Sequence, residues 1–294
     1  MPRRGITLWE VLIALAVCVT AAVLFAVLAN RAQSDRHRLR DSFQVRSIHQ
    51  GLILGAQSGR DSFITPSWYD KANTTINAEP SSKNTTANIL SIHIYNGYFI
   101  PDMLISPAEK NPRIRACTNY SQSAPPTAAT PNQALWDPAF SADFIHGIGN
   151  TSYAHEIPAG RSGGLSPRWC NDFQASEAVI ANRGPLVAST DRNDHRLSHA
   201  AFNTGSNTLR FYGRSPAWQG NVAYNDNHAV FEKTFMPLTL DKNGRPDPQA
   251  WDDILFYDEY LPADGPDHPY AINNYLGIFT KAGPTVADFT AIWD

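Results

Sequence analysis

The chain has 294 residues and a formal net charge of −3, from 24 basic and 27 acidic side chains. That balance supplies no basic field for nucleic acid, and no Lys/Arg block in the body of the chain supplies one either. Hydrophobic residues make up 43% and charged residues 17%, enough for one globular core. The 21 Pro and 18 Gly point to many loops and short strands around it.

Met1-Pro2-Arg3-Arg4-Gly5 is a short basic start, followed by Ile6-Thr7-Leu8-Trp9-Glu10 and an apolar run from Val11 to Ala29. A secretory signal peptide has an apolar core of about 7–15 residues and a small-residue exit. This run is longer, and no such exit precedes Asn30-Arg31. A helix from Ile6 to Ala29 rises about 36 Å, enough to cross a hydrocarbon core of about 30 Å. Residues 6–29 therefore read as a transmembrane anchor that is retained. Glu10 is out of place in it, since a carboxylate at depth costs about 2–3 kcal/mol. Two readings stand. Glu10 is an interfacial carboxylate at the positive end of the helix dipole, or it pairs with a cation on a neighbouring chain.

From Asn30 to Ser58 there is no proline. Leu39, Phe43, Val45, Ile48, Leu52 and Ile53 recur at spacings of three and four, which predicts an amphipathic continuation of the same helix over 30–58. The stripe would form the spine of the following domain. Arg36, Arg40, Asp41 and Arg46 would face away, and Gly59 would end the helix. Arg31, Arg36, Arg38 and Arg40 follow the apolar run, which by the positive-inside rule favours a cytoplasmic end there; Asp35 and Asp41 offset them in part.

Residues 59–294 read as the globular part. Asn84-Thr85-Thr86 caps a short predicted helix from Thr85 to Tyr95. Predicted strands are Asn150–Ile157, Glu177–Ala181, Thr208–Tyr212, Asn221–Tyr224, Ala229–Phe235 and Ile254–Tyr257. The clearest unit is a hairpin of Gly220–Tyr224 and His228–Glu232 around Asn225-Asp226-Asn227. Of three cysteines, Cys18 lies in the apolar run. Cys117 and Cys170 remain, and outside the cytoplasm a disulfide between them is expected.

Catalytic and metal motifs are weak. Gly160-Arg161-Ser162-Gly163-Gly164 fits G-x-S-x-G, with Asp191 and His195 after it, but Pro158 and Pro167 replace the strand and helix that a nucleophile elbow requires. His195 and His199 stand four apart without the glutamate of a zincin motif. Asp241-Lys242-Asn243-Gly244-Arg245-Pro246-Asp247 is oxygen-rich but lacks the glycine and glutamate positions of an EF-hand. A surface loop, solvated histidines and an Asn-Gly turn are the preferred readings, so no enzyme, metal or cofactor is expected.

Gly5-Ile6-Thr7-Leu8-Trp9-Glu10-Val11-Leu12-Ile13-Ala14-Leu15 resembles the processing segment of type IV pilins and type II secretion pseudopilins. The resemblance implies cleavage after Gly5 by a prepilin peptidase that also methylates the new N-terminus at Ile6. It further implies that Glu10, fifth in the cleaved chain, pairs with that amine on an adjacent subunit, and that the N-terminus faces the cytoplasm. Trp218-x-Gly220-Asn221-Val222-x-Tyr224-Asn225-Asp226-Asn227-His228 is similar to a stretch found in a large bacterial group of prepilin-type proteins; the tract from Asn84 to Glu109 is similar to theirs as well. Some pseudopilins hold calcium in a C-terminal loop, which leaves calcium open at the Asp241–Asp247 turn.

The expected fold is α+β: a long N-terminal helix packed on an antiparallel sheet with long loops. The expected function is a structural subunit of a pilus-like or pseudopilus assembly in a bacterial inner membrane. Its partners would be its own copies, other pilin-like subunits and the peptidase. The alternative is a solitary membrane-tethered periplasmic module that binds a glycan or other ligand and uses the prepilin route only for export. A membrane-anchored hydrolase built on Ser162 or on His195 and His199 is the third option. The processing segment makes a direct prediction: the mature chain begins at Ile6 with a methylated amine. Intact-mass analysis of membrane-extracted protein checks it, and an uncut Met1 or a start near Asn30 would contradict it.

Overall fold

The computed structural model describes residues 7–57, 59, 61–160, 163–187, 202–213, 215–236, 238–240, 246–251, 253–256 and 275–294. Helix α1 runs unbroken over Leu8–Ala56, 49 residues. Two short helices follow, α2 over Pro66–Tyr69 and α3 over Thr86–Tyr95. Thr85 caps α3, its hydroxyl accepting from the Asn88 amide, as the Asn-Thr-Thr run predicts.

Eight strands are described: β1 Tyr153–Glu156, β2 Ala178–Asn182, β3 Gly220–Tyr224, β4 Ala229–Glu232, β5 Leu238–Leu240, β6 Pro246–Trp251, β7 Leu276–Lys281 and β8 Thr290–Ile292. Six form one antiparallel sheet in the order β4-β3-β2-β1-β7-β8, and β5 pairs with β6 separately. The layout is α+β. Both faces of the central strands are buried. Val45, Ile48 and Leu52 of α1 and Ile89, Leu90 and Ile94 of α3 pack with Tyr153, Ile180 and Ala223 on one face. Ala154, Ala181 and Val222, one residue along, pack on the other face against Phe144, Leu209, Phe235 and Leu255 from the loops. The alternation is the period-2 pleat.

Several expectations are corrected. Leu39 and Phe43 are each 60% exposed, whereas Asp41 and His49 are fully buried. The apolar positions of α1 thus divide between a stripe against the sheet and one that faces outward, and an acidic residue takes the place between them. Thr208–Tyr212 is not a strand: Thr208–Arg210 is a 3-10 turn that sends Leu209 and Phe211 inward. Residues 254–256 form a bend, tied to Phe235 and Leu276 by backbone hydrogen bonds. Strand β7 was not expected, because its buried run Leu276–Phe279 shows no alternation.

Asp41 is where α1 meets the sheet. Tyr153 donates its hydroxyl hydrogen to Oδ1 at 2.8 Å and Asn182 its amide at 3.3 Å. Tyr212 donates to Oδ2 at 2.6 Å and Asn221 its side-chain amide at 2.7 Å. Four donors match the roughly four acceptor sites of a carboxylate. The donors come from β1, β2, β3 and the turn after Phe211, so one side chain gathers three strands and a loop. Tyr153 opposes Asn182 in the ladder, and the Asn221 amide donates to Asn182 Oδ1 at 2.7 Å. One turn before Asp41, the Arg38 guanidinium lies 4.8 Å from the ring centre of Phe231 on β4, a cation–π contact. Ser34 makes the contact nearest the free end, its hydroxyl donating to the Tyr212 carbonyl at 3.0 Å.

Replacing Asp41 with Ala leaves two buried hydroxyls and two amides without their acceptor. The expected loss is about 3–5 kcal/mol, the scale of stranding buried polar groups around a lost charge. Asp41→Asn keeps one acceptor and should lose clearly less. Urea unfolding of the full chain in detergent checks the order; equal midpoints for wild type and Asp41→Ala would show that the cluster contributes nothing.

Candidate functional site

The candidate site is the undocked part of α1 together with the clasp that holds the rest. Between Leu8 and Leu28 the helix exposes its large apolar side chains on every side, among them Trp9 at 74% and Phe25 at 75%. An aqueous helix hides such a surface. The segment is long and apolar enough to cross a membrane, as its sequence predicts.

Glu10 has a partner within its own chain. The Thr7 amide donates to Glu10 Oε2 at 2.7 Å and the Thr7 hydroxyl at 2.9 Å, while the Glu10 amide donates back to Thr7 Oγ1 at 3.4 Å. This reciprocal capping box satisfies two amides that a helix start leaves unpaired. Thr7-x-x-Glu10 carries that signature in the sequence, a third use for Glu10 beyond the two weighed above. Gly5 and Ile6 lie outside the described residues.

The clasp explains the Trp218–His228 stretch. Trp218 donates its indole N–H to the Arg183 carbonyl at 3.0 Å, and its ring lies over Gly220, where a Cβ would sit 2.4 Å from it; only glycine fits there. Asn221 reaches Asp41 and also donates to the Arg38 carbonyl at 3.1 Å. Tyr224 stacks on His228 with ring centres 4.6 Å apart and donates to Glu232 at 3.1 Å. Asn225 donates its side-chain amide to the Cys170 carbonyl at 2.8 Å. Asp226 accepts from the His228 amide at 3.0 Å and from its ring nitrogen, closing the turn. Asn227, at φ 67°, accepts from His49 Nδ1 of α1 at 3.2 Å. Asn221 and Asn227 fasten α1, while the others shape the hairpin that carries them. Asn225-Asp226-Asn227-His228 is legible as a turn; its grip on α1 is not, because Asp41 and His49 are some 180 residues away, at separations of 180 from Asn221 and 178 from Asn227. The one sequence signal was Asn221 within an otherwise apolar, β-prone run.

The expected disulfide is corrected: Cys117 and Cys170 are both free thiols. They belong to different environments. Cys117 lines a polar cleft of about 480 Å³ with Arg115, Ser141 and Asn150. Cys170 sits opposite Ser62 in an isolated bridge, its thiol directed to the Pro167 carbonyl at 3.2 Å. Burial pushes both thiols upward from the ordinary value, away from the reactive range. Ser162, Asp191, His195, His199 and 241–245 lie outside the described residues. Among the described residues, no cluster of three or more His, Cys, Asp or Glu could hold a metal ion.

Compared with protein-family models, curated proteins and solved structures, the chain matches none.

Three buried histidines stand around α1 and α3. Burial lowers His49, His93 and His155 from 6.5 to about 4 each. His93 donates Nδ1–H to the Ile89 carbonyl at 2.7 Å, and a Cβ at Gly55 of α1 would come within 2.9 Å of its Nε2. His155 pairs with the Thr86 hydroxyl at 2.8 Å. The folded values are depressed, so the unfolded chain binds more protons between about pH 6.5 and 4. Their contribution is complete above pH 6.5 and is lost as pH falls toward 4, by up to about 3 kcal/mol for each histidine. Glu177, raised to about 7 by burial, acts in the opposite sense. With three groups against one among the described residues, the thermal midpoint should fall on acidification from pH 6.5 to 5. A flat midpoint over that interval would contradict the burial of neutral imidazoles.

Proposed function

We propose that this chain is a membrane-anchored structural subunit, cleaved after Gly5 and assembled through the apolar half of α1. The observation that carries the reading is the division of one continuous helix. Ser34 begins the contacts with the domain, Asp41 and Asn227 hold the rest, and 8–33 projects free. Those 26 residues span about 39 Å, of which the apolar part fits a hydrocarbon core. A rigid joint at Asp41 suits a subunit that must transmit position from bilayer to domain; a mere tether has no need of it.

The resemblance to type IV pilins and pseudopilins supplies the chemistry of assembly. Cleavage would remove Arg3 and Arg4 and create an amine at Ile6, one residue before the Thr7 amide that Glu10 already holds. Glu10 would then have two possible cationic partners, its own amine and that of a neighbour. In a low-dielectric bundle an uncompensated carboxylate costs several kcal/mol, so whichever amine lies nearer sets the register of subunits. The N-terminus would face the cytoplasm of a bacterial inner membrane and the domain the periplasm or a filament.

Glu10→Ala should leave cleavage and insertion intact while abolishing or strongly reducing assembly. The measurement is chemical crosslinking in native membranes, wild type against Glu10→Ala. Thr7→Ala serves as the control that breaks the capping box without removing the carboxylate. Loss of oligomers in Glu10→Ala alone supports the intersubunit pair. Equal ladders in all three would reduce Glu10 to a helix cap and favour the solitary tethered module.

A further inference from the structure

The segment between α2 and α3 is a surface loop organised around a buried ion pair. Lys83 Nζ donates to Asp70 Oδ2 at 3.0 Å, to the Asp70 carbonyl at 2.7 Å and to Asn73 Oδ1, and both charged side chains are fully buried. Asp70 also accepts from the amides of Thr74 at 2.7 Å, Thr75 at 3.3 Å and Ile76 at 3.1 Å. Such a pair adds little net stability over apolar packing, and one of its attested uses is to hold a single conformation. Ser67 is tied in the same way, its amide donating to Asn84 Oδ1 at 2.9 Å.

What the loop holds still is an aromatic rim. Trp68 is 48% exposed, although the loop around it has ample buried packing. With Tyr69, Lys71, Thr74 and Leu135 it lines an open surface depression of about 370 Å³. Lys71 Nζ lies 5.5 Å from the centre of the Trp68 ring and has no carboxylate partner among the described residues. Asp70 is consumed by Lys83 and three amides, so the charge facing the depression is that of Lys71. The Tyr69 hydroxyl donates to Asn96 Oδ1 at 3.2 Å and that of Thr74 to Asp70 Oδ1 at 3.2 Å, which leaves each an oxygen free to accept.

We propose that this rim binds an acidic pyranose of a glycan, its C–H face on Trp68 and its carboxylate on Lys71. An indole plane offers broad apolar contact at low entropic cost, the neighbouring ammonium selects a negative substituent, and the two hydroxyl oxygens accept from sugar hydroxyls. A fully apolar ligand or a neutral sugar would leave the Lys71 charge unused. The inference does not depend on α1 assembling subunits.

Titration calorimetry on the full chain in detergent tests it, with an oligogalacturonate as the acidic probe and a maltooligosaccharide of equal length as the neutral one. Adenosine monophosphate serves as a stacking probe without a uronic acid. The oligogalacturonate should bind and the neutral sugar bind at least about tenfold more weakly. Trp68→Ala should weaken acidic-probe binding by about tenfold or more, and Trp68→Phe should retain part of it. Lys71→Ala should remove the preference for the acidic sugar while leaving weak binding of both. Trp68 is exposed, so unchanged circular dichroism is expected for these variants and separates lost binding from lost fold. No heat with either sugar, unchanged binding in Trp68→Ala, or a response to the nucleotide alone would overturn the proposal.

Discussion

A buried carboxylate with no ion pair among the described residues joins α1 to the sheet. Asp41 is buried on a helix whose neighbouring residues are basic, and its four hydrogen bonds all come from neutral donors. Such an arrangement is stable only when every donor is in place, because a half-satisfied buried charge costs more than an apolar contact. Tyr153, Asn182, Tyr212 and Asn221 are therefore constrained together. Burial and the Asp41 charge raise both tyrosines well above their ordinary values, so they remain donors at any ordinary pH.

The same logic recurs elsewhere in the domain. Arg183 is fully buried, paired with Glu109 and 3.5 Å from Asp294, with its guanidinium over Phe144 at 5.3 Å and Phe211 at 5.1 Å. Lys83 is fully buried on Asp70. Each of these groups fastens a loop rather than two layers of core. The chain is rich in proline and irregular backbone, and loops hold one shape only when their polar groups find fixed partners. Buried ions at loop junctions supply what regular ladders supply elsewhere. The loop that carries Trp68 is fixed by the same device.

Much of the architecture was legible locally. The long helix, the cap of α3 and the β3-β4 hairpin follow from an apolar period, from a Thr at an N-cap and from Asn-Asp-Asn between two β-prone runs. The strand at Leu276–Lys281 was not legible, since a run buried on both faces loses its alternation. Nor was the turn at Thr208–Arg210, whose β-prone Thr, Leu and Phe are used as inward anchors instead. Leu39 and Phe43 share the spacing of the buried stripe, yet both are exposed. Periodicity marks which residues line up along a helix, and a helix with apolar residues on two sides does not say which side meets the sheet.

The sequence by itself determined a helix that no aqueous environment would leave free, with Arg3 and Arg4 before it and a carboxylate, Glu10, near its start. Those properties reside in contiguous residues, where the backbone period and transfer energy act without reference to the rest of the chain. Only the tertiary structure decided that Asp41 is the joint and that Trp218–His228 is its socket. It also decided that Cys117 and Cys170 are free thiols. Each of these depends on groups brought together from separations as long as the 180 residues between Asp41 and Asn221, and the energy of a buried polar contact is set by which donors surround it, a quantity that no local pattern encodes.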